Sequence, residues 1–414
     1  MKSNAKLFYG WWIIVGGCLL NFAGIGIIIN AYGVFIKPVT ESLGFSRGGF
    51  ALYFSIAALC MTFAAPVVGK LLEKFDIRIV MTISTAMMSV SYIFFSQCQT
   101  LKQFYLVAAV LGIGSAGSHI IPVSLMITNW FVKKRGLAMG IVFSASGIGG
   151  FIFNPLGNWL ILSYGWETAY LILGIIMALT TIPTALFVVR AHPREKGLQP
   201  YGQTQETTQE SDTVSEGFTA MQAFRTRSFW LLGIMILFIA IANMGILHHI
   251  VPYLTDLGYS STTAAALMSL HMAMLICGKI VLGGFADRIG LSKSLLGCLI
   301  GFVIAISLLY GASFFWIAIL FNVLFGLTIS VRTVLPPLMT SACLGAKHFA
   351  VIYGFLNIAT TIGTAVGTPL SGYIYDATKS YNAAFALYMV LGVIALIAGL
   401  VALKQAKWMP ETEQ

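Results

Sequence analysis

Apolar residues in this chain gather into long unbroken runs. Twelve of about 19–28 residues can be read: 11–36, 48–70, 79–97, 103–130, 136–160, 167–189, 228–253, 262–285, 294–312, 314–338, 348–374 and 381–404. At 1.5 Å rise per residue, each crosses ~30 Å of hydrocarbon as a helix. The pattern predicts an all-α polytopic membrane protein with twelve transmembrane helices. One stretch breaks it: His192–Phe218 is polar, rich in Gln, Thr, Ser and Glu, and carries Pro193 and Pro200. It reads as a linker. The expected organisation is a six-helix bundle over 1–190, a cytoplasmic linker over 191–227 and a second six-helix bundle over 228–414.

The two halves align without a gap at one constant offset. Pro38 pairs with Pro252, Leu43-Gly44-Phe45-Ser46 with Leu257-Gly258-Tyr259-Ser260, and Gly69 with Gly283. Gly112 pairs with Gly326, Pro122 with Pro336, Gly140 with Gly354, Gly149 with Gly363 and Pro155 with Pro369. Gly and Pro set backbone geometry and close helix packing, so a duplicated fold keeps them. Six spans per half is even, which makes the repeat parallel, with a substrate site expected near the midplane between halves.

Composition sharpens the class. Of 414 residues, 58% are hydrophobic and 9% charged, against about 25% charged in soluble domains. The formal net charge of +10 is a topology signal rather than a nucleic-acid footprint. With an inside N-terminus, eighteen of the 24 Lys and Arg fall on the cytoplasmic side and four outside (Lys37, Arg47, Lys102, Lys379). That asymmetry follows the positive-inside rule and predicts both termini in the cytoplasm. The six cysteines lie in or at the edge of spans with no CxxC spacing, so neither disulfide nor metal site is indicated. The first run is too long for the h-region of a signal peptide and reads as a retained span.

The remaining two cations are the chemically informative residues. Lys279 and Arg332 each lie about 17 residues into an apolar run, and no Asp or Glu lies in the middle of any run. An ionised group at the bilayer centre costs ~2.5–3.5 kcal/mol on the insertion scale. An anionic substrate would supply the missing charge. The competing reading is snorkelling: Lys279 is eight residues, about 12 Å of helix, from Asp287-Arg288, and Arg332 is about nine residues from Ser341. Ser118, the repeat mate of Arg332, precedes His119, a candidate proton carrier. His249 and Asp256 near the end of span seven form a candidate gating or relay pair. His271 lies about 80° round the helix from Lys279. Lys37 is expected to anchor at the interface, and Tyr32 to wall a small substrate site.

Two loops carry a related motif. Gly283-Gly284-Phe285-Ala286-Asp287-Arg288-Ile289-Gly290, then Lys293, resembles the cytoplasmic G-x-x-x-D-R-x-G-x-x-[RK] loop of the major facilitator superfamily. The first copy, Gly69 to Glu73-Lys74 and then Arg78, is a weaker version. An acid at a helix end can accept from a neighbouring helix N-terminus or a base and latch one state. Trp130-Phe131-Val132-Lys133-Lys134-Arg135-Gly136-Leu137-Ala138-Met139-Gly140, continuing to Ser146-Gly147-Ile148-Gly149-Gly150, resembles the fifth-span signature of the monocarboxylate transporters and their bacterial relatives, which include oxalate:formate exchangers. Tyr9-Gly10-Trp11-Trp12, Tyr32-Gly33-Val34-Phe35 and Leu43-Gly44-Phe45-Ser46-Arg47 resemble that family's first-span block, without the acid that often opens it.

The resemblance implies the major facilitator fold and a secondary transporter. In that family an Arg on the eighth span binds the substrate carboxylate, and the matching position here is Lys279. Lys is a compact point charge where Arg is a planar fork, which opens selectivity to question. Arg332 replaces part of a glycine-rich stretch and has no such family counterpart. The expected activity is proton-coupled symport of a small monocarboxylate of the lactate or pyruvate type. The alternative is exchange of an oxalate-type dicarboxylate for a monocarboxylate, since two cations suit a dianion. A non-transporting membrane sensor is a reading of another class. No P-loop, GxSxG elbow or metal-spaced cluster appears, so no enzyme and no cofactor is expected. The expected partners are a carboxylate anion, a proton and lipid, without nucleic acid, at the plasma membrane, the inner membrane of a bacterium.

Overall fold

The computed structural model describes residues 8–202, 217–345 and 348–405; the side chains of 73, 135, 280–281, 283–289 and 350 lie outside that description. Helix follows helix with no strand among the described residues, only two isolated bridges. The order is α1 (Gly10–Ile25), α2 (Gly33–Leu43), α3 (Arg47–Lys74), α4 (Ile77–Phe94), α5 (Leu101–Ala116), α6 (Ile120–Trp130), α7 (Arg135–Pro183), α8 (Ala220–Phe224), α9 (Arg227–Asp256), α10 (Ser261–Ile289), α11 (Leu291–Leu308), α12 (Phe315–Thr328), α13 (Val331–Leu344), α14 (Phe349–Thr378) and α15 (Asn382–Lys404). This suits a chain in hydrocarbon, where backbone groups must be satisfied within the segment.

Eleven helical segments among the described residues are long and apolar enough to span. One of them, Gly136–Val188, runs 53 residues, about 80 Å at helical rise and so two crossings rather than one. Gly165 divides it, at φ 84° and ψ 163°, a conformation that glycine adopts without steric cost. Divided there, the described residues hold twelve apolar helical segments, as expected, with spans five and six meeting at a one-residue corner.

The chain separates into two compact units: 1–32 with 56–212, and 33–55 with 213–414. Residues 33–55 belong to the first repeat in sequence and to the second unit in packing. In the first unit the core gathers Ile13, Met81, Met126, Trp130 and Val142. In the second it gathers Leu232, Met235, Leu295, Leu335 and Met339.

The repeat holds in packing as well as in sequence. A Cβ built on Gly149 would overlap Phe22 O, with the Gly26 Cα at 2.9 Å. At the mate of this contact, a Cβ on Gly363 would lie 2.6 Å from the Ala240 Cβ and 2.7 Å from Leu237 O. Gly112 abuts Ala57 O and Gly326 abuts His271 O, again at mated positions. The linker's described ends repeat the theme: Tyr201 N donates to Trp130 O at 2.8 Å, and Phe218 N to the mated Leu344 O at 3.0 Å.

Spans four and ten are interrupted within about two residues of equivalent positions. Turn conformation covers 117–119 between α5 and α6, and 329–330 between α12 and α13. Ser118 N donates to Ser115 O at 3.3 Å, and Arg332 N donates to Ile329 O at 3.2 Å. The cause is readable: Pro122 and Pro336 have no N–H for the carbonyls of Ser118 and Arg332 four residues earlier. Span one is interrupted too, by a π-turn over Gly26–Asn30 followed by a turn at 31–32. Its mate, α9, is continuous.

Candidate functional site

In the second unit, Lys279 on α10 and Arg332 on α13 are both half-buried. A Cβ on Gly278 would overlap Leu327 O, so α10 touches α12 backbone to backbone beside Lys279. Arg332 follows the break after Thr328, at the start of α13, which packs against α10. Among the described residues neither cation has an ion pair or a side-chain hydrogen bond. Two like charges on apolar helices attract an anion. His271 is buried on α10, against the Phe325 ring at 5.3 Å. Neither of its ring nitrogens has a hydrogen-bond partner among the described residues.

In the first unit, Ser118 and His119 occupy the break of span four. The Ser118 hydroxyl donates to Gly114 O at 2.6 Å, which uses its proton locally. His119 is buried with its Nδ1 unpartnered among the described residues, and a Cβ on Gly24 would lie 3.1 Å from that nitrogen. Tyr32 is buried at the end of the span-one break. Asn30 in that break donates to Ser146 O at 2.7 Å and accepts, through its carbonyl, from Asn154 at 3.1 Å.

The end of α9 carries a polar network that the sequence showed only in part. Asp256 does not meet His249 directly. It accepts a two-pronged contact from Arg47, at 2.5 and 3.0 Å, and lies 3.0 Å from the Lys37 ammonium. Lys37 is thus ion-paired. The Tyr381 hydroxyl joins the two halves of the network, accepting from Arg47 Nη1 at 2.8 Å and lying 3.0 Å from His249 Nδ1. His249 Nε2 lies 2.9 Å from Thr368 O. A carbonyl only accepts, so Nε2 carries the proton and, in the neutral ring, Nδ1 accepts from Tyr381. Burial pushes the Tyr381 phenol up, with Arg47 opposing. Arg47, Asp376 and Tyr381 were missed as site residues. Arg47 stands in the first-span block, whereas Asp376 and Tyr381 gave no signal, lying at a span end and in a loop.

Of the loop motifs, Gly69 has open space around it and Lys74 is exposed at the end of α3. Glu73, Gly283, Asp287 and Arg288 lie outside the described residues in their side chains. Arg78 pairs with Asp76, which also caps α4 by accepting from Arg78 N at 2.9 Å. The Arg78 guanidinium holds the Asp76 carboxyl below its ordinary range. This contribution is present above the unfolded value of about 3.9 and is lost as pH falls through the depressed folded value. It is small, because the pair is about one-third exposed. Asp76→Ala should cost about 1 kcal/mol of thermal stability through the lost cap, whereas Asp76→Asn, which keeps an acceptor, should cost a few tenths. Equal losses in unfolding scans would contradict the capping role.

The sequence profile of the Major Facilitator Superfamily matches residues 14–290 and 234–413. Mouse monocarboxylate transporter 12 is 27% identical over 406 residues, covering 91% of this chain and 82% of that protein. Rat monocarboxylate transporter 4 is 24% identical over 404 residues, covering 91% and 80%. Among solved structures, a bacterial homologue of the human lysosomal transporter Spinster, in an inward-facing and occupied conformation, superposes with a TM-score of 0.73 at 16% identity, covering 98% of this chain and 100% of that one. The nucleoside transporter NupG gives 0.72 at 12% identity, covering 97% and 100%. The structural likenesses speak for the fold.

Proposed function

We infer that this chain, which belongs to the Major Facilitator Superfamily, moves small organic anions across a membrane by alternating access, with Lys279 as the principal anion ligand. The carrying observation is the pair Lys279 and Arg332, half-buried on apolar helices without a counter-ion among the described residues. A bound carboxylate neutralises charge that would otherwise resist passage through a dry barrier. The monocarboxylate transporters among the relatives support a monocarboxylate cargo. In this reading it is of the lactate or pyruvate type and travels with a proton. His119, His249 and His271 are the candidate proton carriers, a role suited to imidazole.

Residues 1–190 and 228–414 are, in this reading, the two moving bundles, with 191–227 as the cytoplasmic linker. Both termini lie in the cytoplasm and the protein sits in a plasma membrane, that of a bacterium. The superfamily membership and the absence of enzyme motifs together favour transport over bond-making.

One observation favours a second reading, exchange of a dicarboxylate for a monocarboxylate. Lys279 and Arg332 are two cations on neighbouring helices with no ion pair among the described residues, and a dianion would neutralise both. Proteoliposomes separate the two. Lactate-driven uptake of protons is the expected result; oxalate counterflow without proton movement would replace symport with exchange. No flux of either anion would remove the assignment.

A further inference from the structure

We propose that the linker-side end of the first unit binds the phosphodiester headgroup of an anionic phospholipid, on a surface built by Trp11, Trp12, Lys133, Lys134, Arg194 and Lys196. These residues belong to the first unit, whereas Lys279 and Arg332 belong to the second. The surface is therefore a lipid site and no part of the anion site read above.

The start of the linker is laid down on this end of the unit. Tyr201 pairs with the end of α6 in both directions. Its N–H donates to Trp130 O at 2.8 Å, and its carbonyl accepts from Val132 N and Lys133 N, each at 3.1 Å. The Tyr201 ring sits in an aromatic box, 5.8 Å from Phe8, 5.8 Å from Phe131 and 6.2 Å from Trp11. The next residue, Gly202, closes on Lys133: a Cβ on this glycine would overlap the Lys133 Cβ. Upstream, the Trp130 indole donates to Arg190 O at 2.9 Å. The Lys196 ammonium lies 5.1 Å over the Tyr9 ring, which is itself 5.5 Å from Trp130. The strap thus sets Lys133 and Lys196 at the rim of one aromatic box.

Cations gather here without acids to match them. Lys133, Lys134, Arg194 and Lys196 are exposed, and none has an ion pair among the described residues. Asp76 and Glu195, the acids described at this end, are already engaged. Asp76 holds Arg78, and Glu195 accepts from His192 N at 2.9 Å. Cations held in place without counter-ions attract phosphate. The apolar surface beside them decides which phosphate. Trp11 and Trp12, in the first turn of α1, are 42% and 51% exposed. Indole at the border of an apolar span settles at headgroup depth, so an anion that covers both kinds of surface carries acyl chains. Sidedness alone does not account for the pattern. In a parallel repeat the mated loops share a side, yet the second half has Arg225 and Thr226 in place of the two tryptophans and His348 in place of Lys134.

The test uses the full chain in bilayers of phosphatidylcholine and phosphatidylglycerol, with one or the other lipid carrying brominated acyl chains. Bromine quenches indole fluorescence on contact. In each background, the signal of Trp11 and Trp12 is the difference made by Trp11→Phe/Trp12→Phe. At low salt these indoles should prefer phosphatidylglycerol at least about fivefold, the worth of one juxtamembrane cation. The preference should fall as added salt screens it. Lys133→Gln/Lys196→Gln should bring the ratio to about one, with quenching by phosphatidylcholine unchanged. Equal quenching by both lipids in the unsubstituted protein overturns the site, as does an undiminished preference in the lysine variant. A preference insensitive to salt overturns it without any substitution. Inorganic phosphate is the competing anion: if it abolishes the preference at constant ionic strength, the lipid assignment falls. No flux is measured, so the result is independent of the cargo.

Discussion

Lys279→Ala is expected to lower carboxylate uptake at least tenfold in proteoliposomes, with the protein still folded. The position sits on α10 beside the tight Gly278–Leu327 crossing, so truncation leaves the helix contact intact and removes only the charge. A hydrogen bond to a charged group contributes about 1.5–3 kcal/mol, or roughly ten- to 150-fold in affinity. The loss should appear in the ratio of maximal rate to half-saturation constant. Lys279→Arg should keep transport but shift its anion preference, because a planar fork binds a carboxylate through two parallel contacts. Arg332→Ala divides the two cargo readings. If it spares monocarboxylate flux while abolishing oxalate counterflow, Arg332 is the second ligand of a dianion. Normal uptake in Lys279→Ala would sink the anion-site assignment outright.

The second large effect lies in the packing. Gly149→Val and Gly363→Val should each destabilise their unit by about 1–3 kcal/mol, the usual cost of overpacking a tight contact. At Gly149 the added carbon would overlap Phe22 O, and at Gly363 it would meet Ala240 and Leu237 O. In both cases part of what it meets is backbone, which cannot rotate aside. Gly140→Ala and Gly354→Ala supply the control. These two are also repeat mates, yet nothing lies within 4 Å of a Cβ at either, so both should be neutral or slightly stabilising. Thermal unfolding of the four purified variants checks the contrast. Equal behaviour of the two pairs would refute the packing account.

Different amounts of structure stand behind these outcomes. The twelve crossings follow from run length, because hydrocarbon admits only segments that satisfy their own backbone. The constant offset between the halves led to the mated glycine contacts, since a close helix crossing tolerates no side chain wherever it recurs. The paired breaks in spans four and ten were implicit in Pro122 and Pro336, each of which leaves a carbonyl four residues earlier without a donor. Lys279 and Arg332 stood out because charge in an apolar run is costly in any fold.

Other features were not legible in the chain. Periodicity alone does not reveal that Asp256 grips Arg47 and Lys37 rather than His249, or that Asp376 caps α3 from a helix near the other end of the chain. Nor does it show that residues 33–55, part of the first repeat by sequence, pack with the second unit. Repeat symmetry even argues against the last point, since the continuous α9 is the mate of the broken first span. The difference is one of range. Solvent, backbone hydrogen bonding and local sterics act on each segment where it stands, so the spans, the duplication, the helix breaks and the isolated cations could be read from the chain alone. Ion pairs and helix caps between distant residues exist only once the helices have met, so the partners of those charges belong to the assembled fold.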